Sequence, residues 1–131
     1  MSITQLWLES LHKSVVAHFH SQDVGVPWEL EREEEEDKVS FTLLEASLVE
    51  TSRNYYEGTF TVLLVCTVST QGLYDLSTLS GKVASLLLEP VSVLGVCATP
   101  SDKKVDIKLF DWKHAYKQSR MEQTYSVVLR G

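Results

Sequence analysis

Apolar residues near the start of the chain recur at spacings of three and four. The stripe within residues 2–20 consists of Leu8, Leu11, Val15 and Phe19. Such spacing is typical of an amphipathic helix with one face on a core. The same spacing returns after Gly72 and ends before Pro90, in Leu76, Leu79, Val83, Leu86 and Leu87. The sequence therefore predicts two core-facing helices.

Alternation of apolar and polar residues indicates the strands. It is clearest in residues 59–69, where one face collects Phe60, Val62, Leu64, Cys66 and Val68. Apolar segments at 39–50, 91–98, 105–109 and 125–129 also predict strands. Polar residues 50–58 predict a hairpin with a long polar tip between the first two strands. Turn residues 99–103 predict a second hairpin, which joins segments 91–98 and 105–109.

Two polar segments lie between these elements. Residues 21–38, which include a dense acidic run, predict an exposed loop, and residues 111–122 predict a polar loop before the last strand. Residues 1–131 suit a single domain, because one core of ordinary size needs about 100 to 150 residues. The element order predicts an α+β fold: an antiparallel (mixed) β-sheet with two main helices packed on one face.

Charge and hydropathy exclude several classes of protein. With 18 acidic and 12 basic residues the net charge is −6, so we expect no nucleic-acid binding. No apolar stretch approaches the roughly 20 residues that span a bilayer, and Trp7, Glu9 and His12 interrupt any signal-peptide core. We expect a cytoplasmic protein with no membrane contact. Cys66 and Cys97 each lie within an apolar run, so both are predicted to be buried thiols.

No residue pattern predicts catalysis. His12, His18 and His20 lie in the first helix, but their spacing completes no metal-ligand set, and His20 suits a charged imidazole at the helix C-terminus. The chain has no nucleophile elbow and no glycine-rich phosphate loop. We therefore expect no enzyme activity, no cofactor and no metal.

Aromatic and charged residues in predicted loops are the remaining candidates, because tyrosine and tryptophan are enriched at the centres of protein interfaces. The strongest local candidate is the hairpin tip formed by Arg53, Asn54, Tyr55 and Tyr56. The other candidates for a protein interface are Trp28, Glu33, Glu34, Glu35, Glu36, Trp112 and Tyr116.

The layout resembles the tail terminator, or tail completion, proteins of long-tailed bacteriophages. The resemblance rests on four features: the amphipathic start Ile3–Phe19, the hairpin between Phe41 and Val68, the helix Leu73–Leu88 with strands after it, and the closing segment Tyr125–Leu129. It implies a homo-oligomeric ring, a hexamer, that caps the tail tube and stops its polymerisation. The implied partners are the major tail tube protein and the head–tail connector, and the implied location is the virion tail, assembled in the host cytoplasm.

A second resemblance points to another class of protein. Small acidic type III secretion chaperones are similar in size, low isoelectric point and element order, and they act as dimers. They commonly finish in a helix, whereas residues 122–130 predict a strand. A small enzyme or ligand-binding domain of a new kind is the third alternative.

Overall fold

The computed structural model describes residues 3–26, 28–29, 37–69, 76–93, 95–111 and 116–130. Two helices, α1 (Ile3–His20) and α2 (Leu76–Leu87), confirm the two apolar stripes. The strands are β1 (Trp28–Glu29), β2 (Lys38–Ser52), β3 (Tyr55–Ser69), β4 (Val91–Val93), β5 (Val96–Pro100), β6 (Lys108–Asp111) and β7 (Tyr116–Arg130). No helix in the described part of the chain is long and apolar enough to cross a bilayer.

All seven strands join one sheet in the order β1-β2-β3-β7-β5-β4, and β6 pairs with β7 beside β5. β3 is central, since it pairs along its whole length with β7 and over most of it with β2. Every pairing is antiparallel except the parallel contact of β1 with Val39 and Ser40 of β2. The predicted α+β class, with a mainly antiparallel sheet, is confirmed.

Both helices cover the same face of this sheet. The alternating residues of β3 point into a core beneath the helices, where Phe60 stacks on Tyr125 of β7 with ring centroids 5.1 Å apart. From α1, Trp7 lies 6.2 Å from Phe60. From α2, the carbonyl of Leu87 accepts a hydrogen bond of 3.0 Å from the hydroxyl of Tyr125. We call this side of the sheet the inner face.

Trp7 packs directly on the backbone of the central strand. Gly58 of β3 is buried beneath the indole, and a Cβ at that position would lie 2.8 Å from Cη2 of Trp7. Real Cβ atoms do not approach so closely, and the fused rings of a fully buried tryptophan have little room to move. The absence of a side chain at Gly58 therefore sets how closely α1 approaches the sheet.

The second predicted hairpin is wrong in its pairing. Gly95, at a φ of 78°, turns the chain within the apolar segment, so that β4 and β5 pair with each other. β5 and β6 then both pair with β7. The apolar segment was long enough for two short strands, and glycine adopts a positive φ without strain.

The predicted polar loop at 111–122 is also wrong, because β7 begins at Tyr116. The first half of β7 looks polar in the sequence because some of its inward-facing residues are polar and have hydrogen-bond partners. Ser119, for example, is fully buried with its Oγ 2.6 Å from the Oγ of Ser80 in α2. In the predicted loop at 21–38, Trp28 and Glu29 form β1 and Lys38 begins β2, while residues 30–36 lie outside the described residues.

Replacement of Gly58 should destabilise the fold, whereas replacement of a glycine with free space around it should not. We expect Gly58→Ala to lower the free energy of unfolding by about 1–3 kcal/mol, because the new methyl group displaces the indole of Trp7. Urea denaturation measures the change.

The matched control is Gly81→Ala in α2. Nothing lies within 4 Å of a Cβ built there, and alanine is favoured over glycine in a helix by about 1 kcal/mol. Gly81→Ala should therefore raise the free energy of unfolding. Equal stability of the Gly58→Ala variant and the wild type would contradict the close contact.

Candidate assembly surfaces

The hairpin tip is shorter than the predicted polar tip. Ser52 pairs with Tyr55, so that only Arg53 and Asn54 form the turn, and Asn54 has a φ of 64°, which asparagine tolerates better than most residues. The sequence prediction failed here because most of residues 50–58, although polar, lie in β2 and β3. The tip still carries exposed side chains, including Tyr55 with 43% of its surface accessible.

Arg130 and Glu50 lie beside the two tyrosines of the hairpin tip, Tyr55 and Tyr56. The guanidinium carbon of Arg130, at the end of β7, lies 5.9 Å from the ring centroid of Tyr55, a separation that allows a cation–π interaction. Tyr56 points to the inner face and packs against the core. Loss of hydration, followed by the neighbouring Glu50 carboxylate, raises the pKa of Tyr56. The exposed part of the tip is therefore Arg53, Asn54 and Tyr55.

The other predicted interface residues are scattered. Trp28 is half-buried at the edge of the core, where its indole N–H donates to the carbonyl of Gln22 at 2.8 Å and its ring lies 5.5 Å from that of His20. Tyr116 begins β7, but its side chain is outside the described residues, as are Glu33, Glu34, Glu35, Glu36 and Trp112.

The face of the sheet opposite the helices, the outer face, is lined with hydroxyl groups. Ser47 and Thr59 are joined by a hydrogen bond of 2.7 Å between β2 and β3. Thr61 and Thr124 are joined by one of 2.9 Å between β3 and β7. These pairs satisfy each other across the strands, so this part of the outer face is polar.

Exposed apolar residues occur instead toward the margins of the sheet. Val49 on β2 and Val128 on β7 are both paired with Glu57 in the register, and 59% and 62% of their surfaces are accessible. Leu44, at an irregularity in β2, and Leu109 on β6 are also exposed. Sequence reasoning missed these residues. A signal exists for Val128 alone, which lies between the apolar residues Val127 and Leu129 and must therefore face the side opposite to theirs.

A recess of about 360 Å³ lies on the outer face beside the connection from β5 to β6. Leu63 and six charged side chains line it: Asp102, Lys104, Asp106, Lys108, Arg120 and Glu122. Three acidic and three basic groups give the lining no excess of charge.

The two cysteines differ in environment, so the prediction that both are buried is wrong for Cys97. Cys66 is buried in the core, and burial raises the pKa of its thiol to about 11 despite a hydrogen bond with Ser119. Cys97 is exposed because Ala98, its neighbour in β5, takes the inward position. Among the side chains that the structure describes, no group of three His, Cys, Asp or Glu residues could hold a metal ion.

The histidines at the end of α1 are partly buried instead of fully solvated. Burial lowers the pKa of His18, although the carboxylate of Glu89 opposes the shift, and burial also lowers the pKa of His20. Nε2 of His20 is buried without a hydrogen-bond partner in the described structure. Both shifts favour neutral imidazoles, in contrast to the charged His20 that the helix position predicted.

Comparison with known proteins supports the fold and nothing finer. No family model and no curated protein matches the chain. A solved structure whose name, Np_888769.1, carries no function is similar to this chain with a TM-score of 0.51 and 14% sequence identity. The similarity covers 97% of this chain and 96% of that one. At this identity it shows a shared fold alone.

The partly buried histidines His18 and His20 should make stability depend on pH. Because folding lowers the pKa of His18 and His20, the unfolded chain binds their protons more readily. Their contribution to stability is full above about pH 6.5, the ordinary value, and is lost as the pH falls through the lowered folded values. We expect the variant His18→Gln/His20→Gln to lose less unfolding free energy than the wild type between pH 7 and pH 5.

Urea denaturation at several pH values measures this difference. His12→Gln, at an exposed position of the same helix, is the matched control and should follow the wild type. A double variant with the same pH dependence as the wild type would show that burial of these two imidazoles does not control acid stability.

The cysteines should react at different rates with a thiol reagent at pH 8. Exposed Cys97 should react in the folded protein, whereas Cys66 should react only on unfolding, because it is buried and mostly protonated at that pH. Counting modified thiols before and after addition of denaturant tests this. Cys97→Ser should abolish the fast reaction, and two fast-reacting thiols in the native wild type would contradict the burial of Cys66.

Proposed function

We propose that this protein is a virion assembly protein of a long-tailed bacteriophage. In this proposal a homo-oligomeric ring, a hexamer, caps the tail tube, stops its polymerisation and forms the surface for head attachment. Its partners are the major tail tube protein and the head–tail connector. The protein is not an enzyme, because its activity consists of forming these contacts.

The observation that carries the proposal is the open edge of β2. This strand has 15 residues, and within the described chain β1 pairs with it only at Val39 and Ser40. A long edge with unpaired backbone groups favours addition of another strand. The exposed apolar residues Leu44 and Val49 lie along this part of β2. Such a strand suits a subunit whose sheet is completed by neighbours.

The hairpin tip would give the ring an axial contact surface. It lies at one end of β2 and β3, two neighbouring strands of 15 residues each, with Arg53 and Tyr55 exposed. Rotation about a ring axis repeats one tip per subunit, so a weak single contact with the tube would be multiplied around the circle. Arginine and tyrosine are among the residues that contribute most at interfaces.

The test is to add the purified protein to tube protein as it polymerises, and to measure tube length by electron microscopy. We expect shorter tubes with a ring at one end. The variant Arg53→Ala/Tyr55→Ala should require at least about tenfold more protein for the same shortening, since two interface side chains of this type contribute about 2 kcal/mol or more. Lys13→Ala, exposed on α1, is the matched control.

Two outcomes would contradict the proposal. A protein that stays monomeric in light scattering at all concentrations and leaves tube length unchanged is not a tail terminator. A stable dimer that binds an extended segment of one secreted protein would instead support the chaperone alternative.

A further inference from the structure

The two opposite edges of the sheet carry different side chains. On the β2 edge, Glu45 and Glu50 are exposed together with Leu44 and Val49. The other edge is shared by β4 and β6, since β5 and β6 lie on the same side of β7. β4 packs against α1 with Val91 and Val93 buried, which leaves β6 as the more accessible strand there.

The β6 edge is apolar and carries a small excess of basic groups. Lys103, Lys104 and Lys108 are exposed at or just before the strand, and Asp102 and Asp106 are exposed among them. Leu109 has 68% of its surface accessible, the largest value among the exposed large apolar residues, and Ile107 is also exposed. Among the described strands, none pairs with the second side of β6. Each edge therefore offers apolar side chains, with opposite signs of charge.

The charge difference extends through the neighbouring sequence. Residues 29–50 contain nine acidic and two basic residues, a formal charge of −7. Residues 102–120 contain three acidic and six basic residues, a formal charge of +3. A chain with net charge −6 thus has a basic segment that includes one edge strand of its sheet. Complementary charge of this kind selects partners and fixes orientation.

Strand direction permits the two edges to join. β2, β3, β7 and β6 are successive antiparallel neighbours, so β6 runs opposite to β2. Rotation about a ring axis preserves the direction of each strand along that axis. The β6 strand of one subunit would therefore lie antiparallel to the β2 strand of the next, and the alternation of the sheet would continue across the boundary.

The position of β1 determines which part of β2 is available. Across the sheet, Lys108 of β6 is in register with Arg120 of β7, Val65 of β3 and Ser40 of β2. At Ser40 the edge of β2 is already occupied by β1. The β6 strand of a neighbouring subunit must therefore be displaced along β2, toward Glu45 and Val49. Tilted strands in a closed ring require such a stagger.

We propose that copies of this chain associate head to tail, with the basic β6 edge of one subunit added to the acidic β2 edge of the next. The inference rests on the proposed function in taking the partner to be a second copy of the chain. Twofold pairing of β2 with β2 would bring two acidic edges together, which is unfavourable. The contact is therefore between different surfaces, as a ring requires.

Charge reversal of each edge tests the contact. The β2 variant carries Glu45→Lys and Glu50→Lys, and the β6 variant carries Lys104→Glu and Lys108→Glu. Each variant alone has two edges of like charge, so its association constant in low salt should fall by about tenfold or more. An equimolar mixture should recover association, because each junction again joins an acidic edge to a basic one. Sedimentation velocity measures the species.

The matched control is Lys13→Glu/Lys82→Glu, which changes the net charge as the β6 variant does but lies on the helices. It should associate like the wild type, and circular dichroism should show that all variants are folded. Salt at 1 M, where the Debye length falls to about 3 Å, should weaken the wild-type assembly.

The inference and the proposed function fail in different ways. Wild-type rings that cap tubes but ignore both edge variants would overturn the edge contact alone. Charge-dependent rings that leave tube length unchanged would overturn the tail function alone. The edge contact would also be overturned if the wild type remains monomeric at low salt and high concentration, or if the mixture of variants does not recover association. Loss of association in the β2 variant but not in the β6 variant would overturn it as well.

Discussion

The contact of Trp7 with Gly58 is the constraint on which the rest of the fold depends. It brings α1 within reach of the central strand, and the indole then borders Phe60. Phe60 stacks on Tyr125, whose hydroxyl group donates to the last turn of α2 at Leu87. One continuous series of contacts therefore links both helices to β3 and β7. Aromatic contacts of this kind add about 0.5–1.5 kcal/mol each beyond the burial of their surfaces.

This concentration of apolar contacts on the inner face determines what the outer face can be. A sheet covered on one side needs polar groups on the other, and here paired hydroxyls of serine and threonine supply them. Hydroxyl side chains of neighbouring strands bond to each other there. Exposed apolar residues are consequently found at the margins of the sheet, where strands end or lack a neighbour.

The elements that the sequence predicted well are those in which apolar residues recur with one clear period. α1, α2 and most of β3 were predictable because apolar residues dominate their inward positions. The first half of β7 was not predictable, because its buried residues Gln118 and Ser119 are polar and their hydrogen-bond partners, Thr67 and Ser80, are distant in sequence. Such partners become visible only when the sheet is assembled.

The candidate site was less predictable than the fold for the same physical reason. Tyrosine at the hairpin tip follows from a polar turn between two strands, and the structure does place Tyr55 at an exposed position. The edge residues do not follow, because a sequence does not state which strand is outermost. Leu109 looks like a core residue by its alternation with Lys108, yet it is exposed since its strand lies at the margin of the sheet.

An open edge strand is normally a hazard, so its features decide whether it leads to assembly or aggregation. The register of β2 is interrupted between Leu43 and Glu45 and again near the hairpin tip, and such irregularities twist an edge away from flat pairing. Acidic side chains on the same strand oppose addition of an identical strand. Together these features disfavour the simplest self-pairing of β2, and in the proposed ring the added strand is instead β6 of the next subunit. Edge chemistry of this kind limits association to a chosen partner, which a closed ring needs and an aggregate lacks.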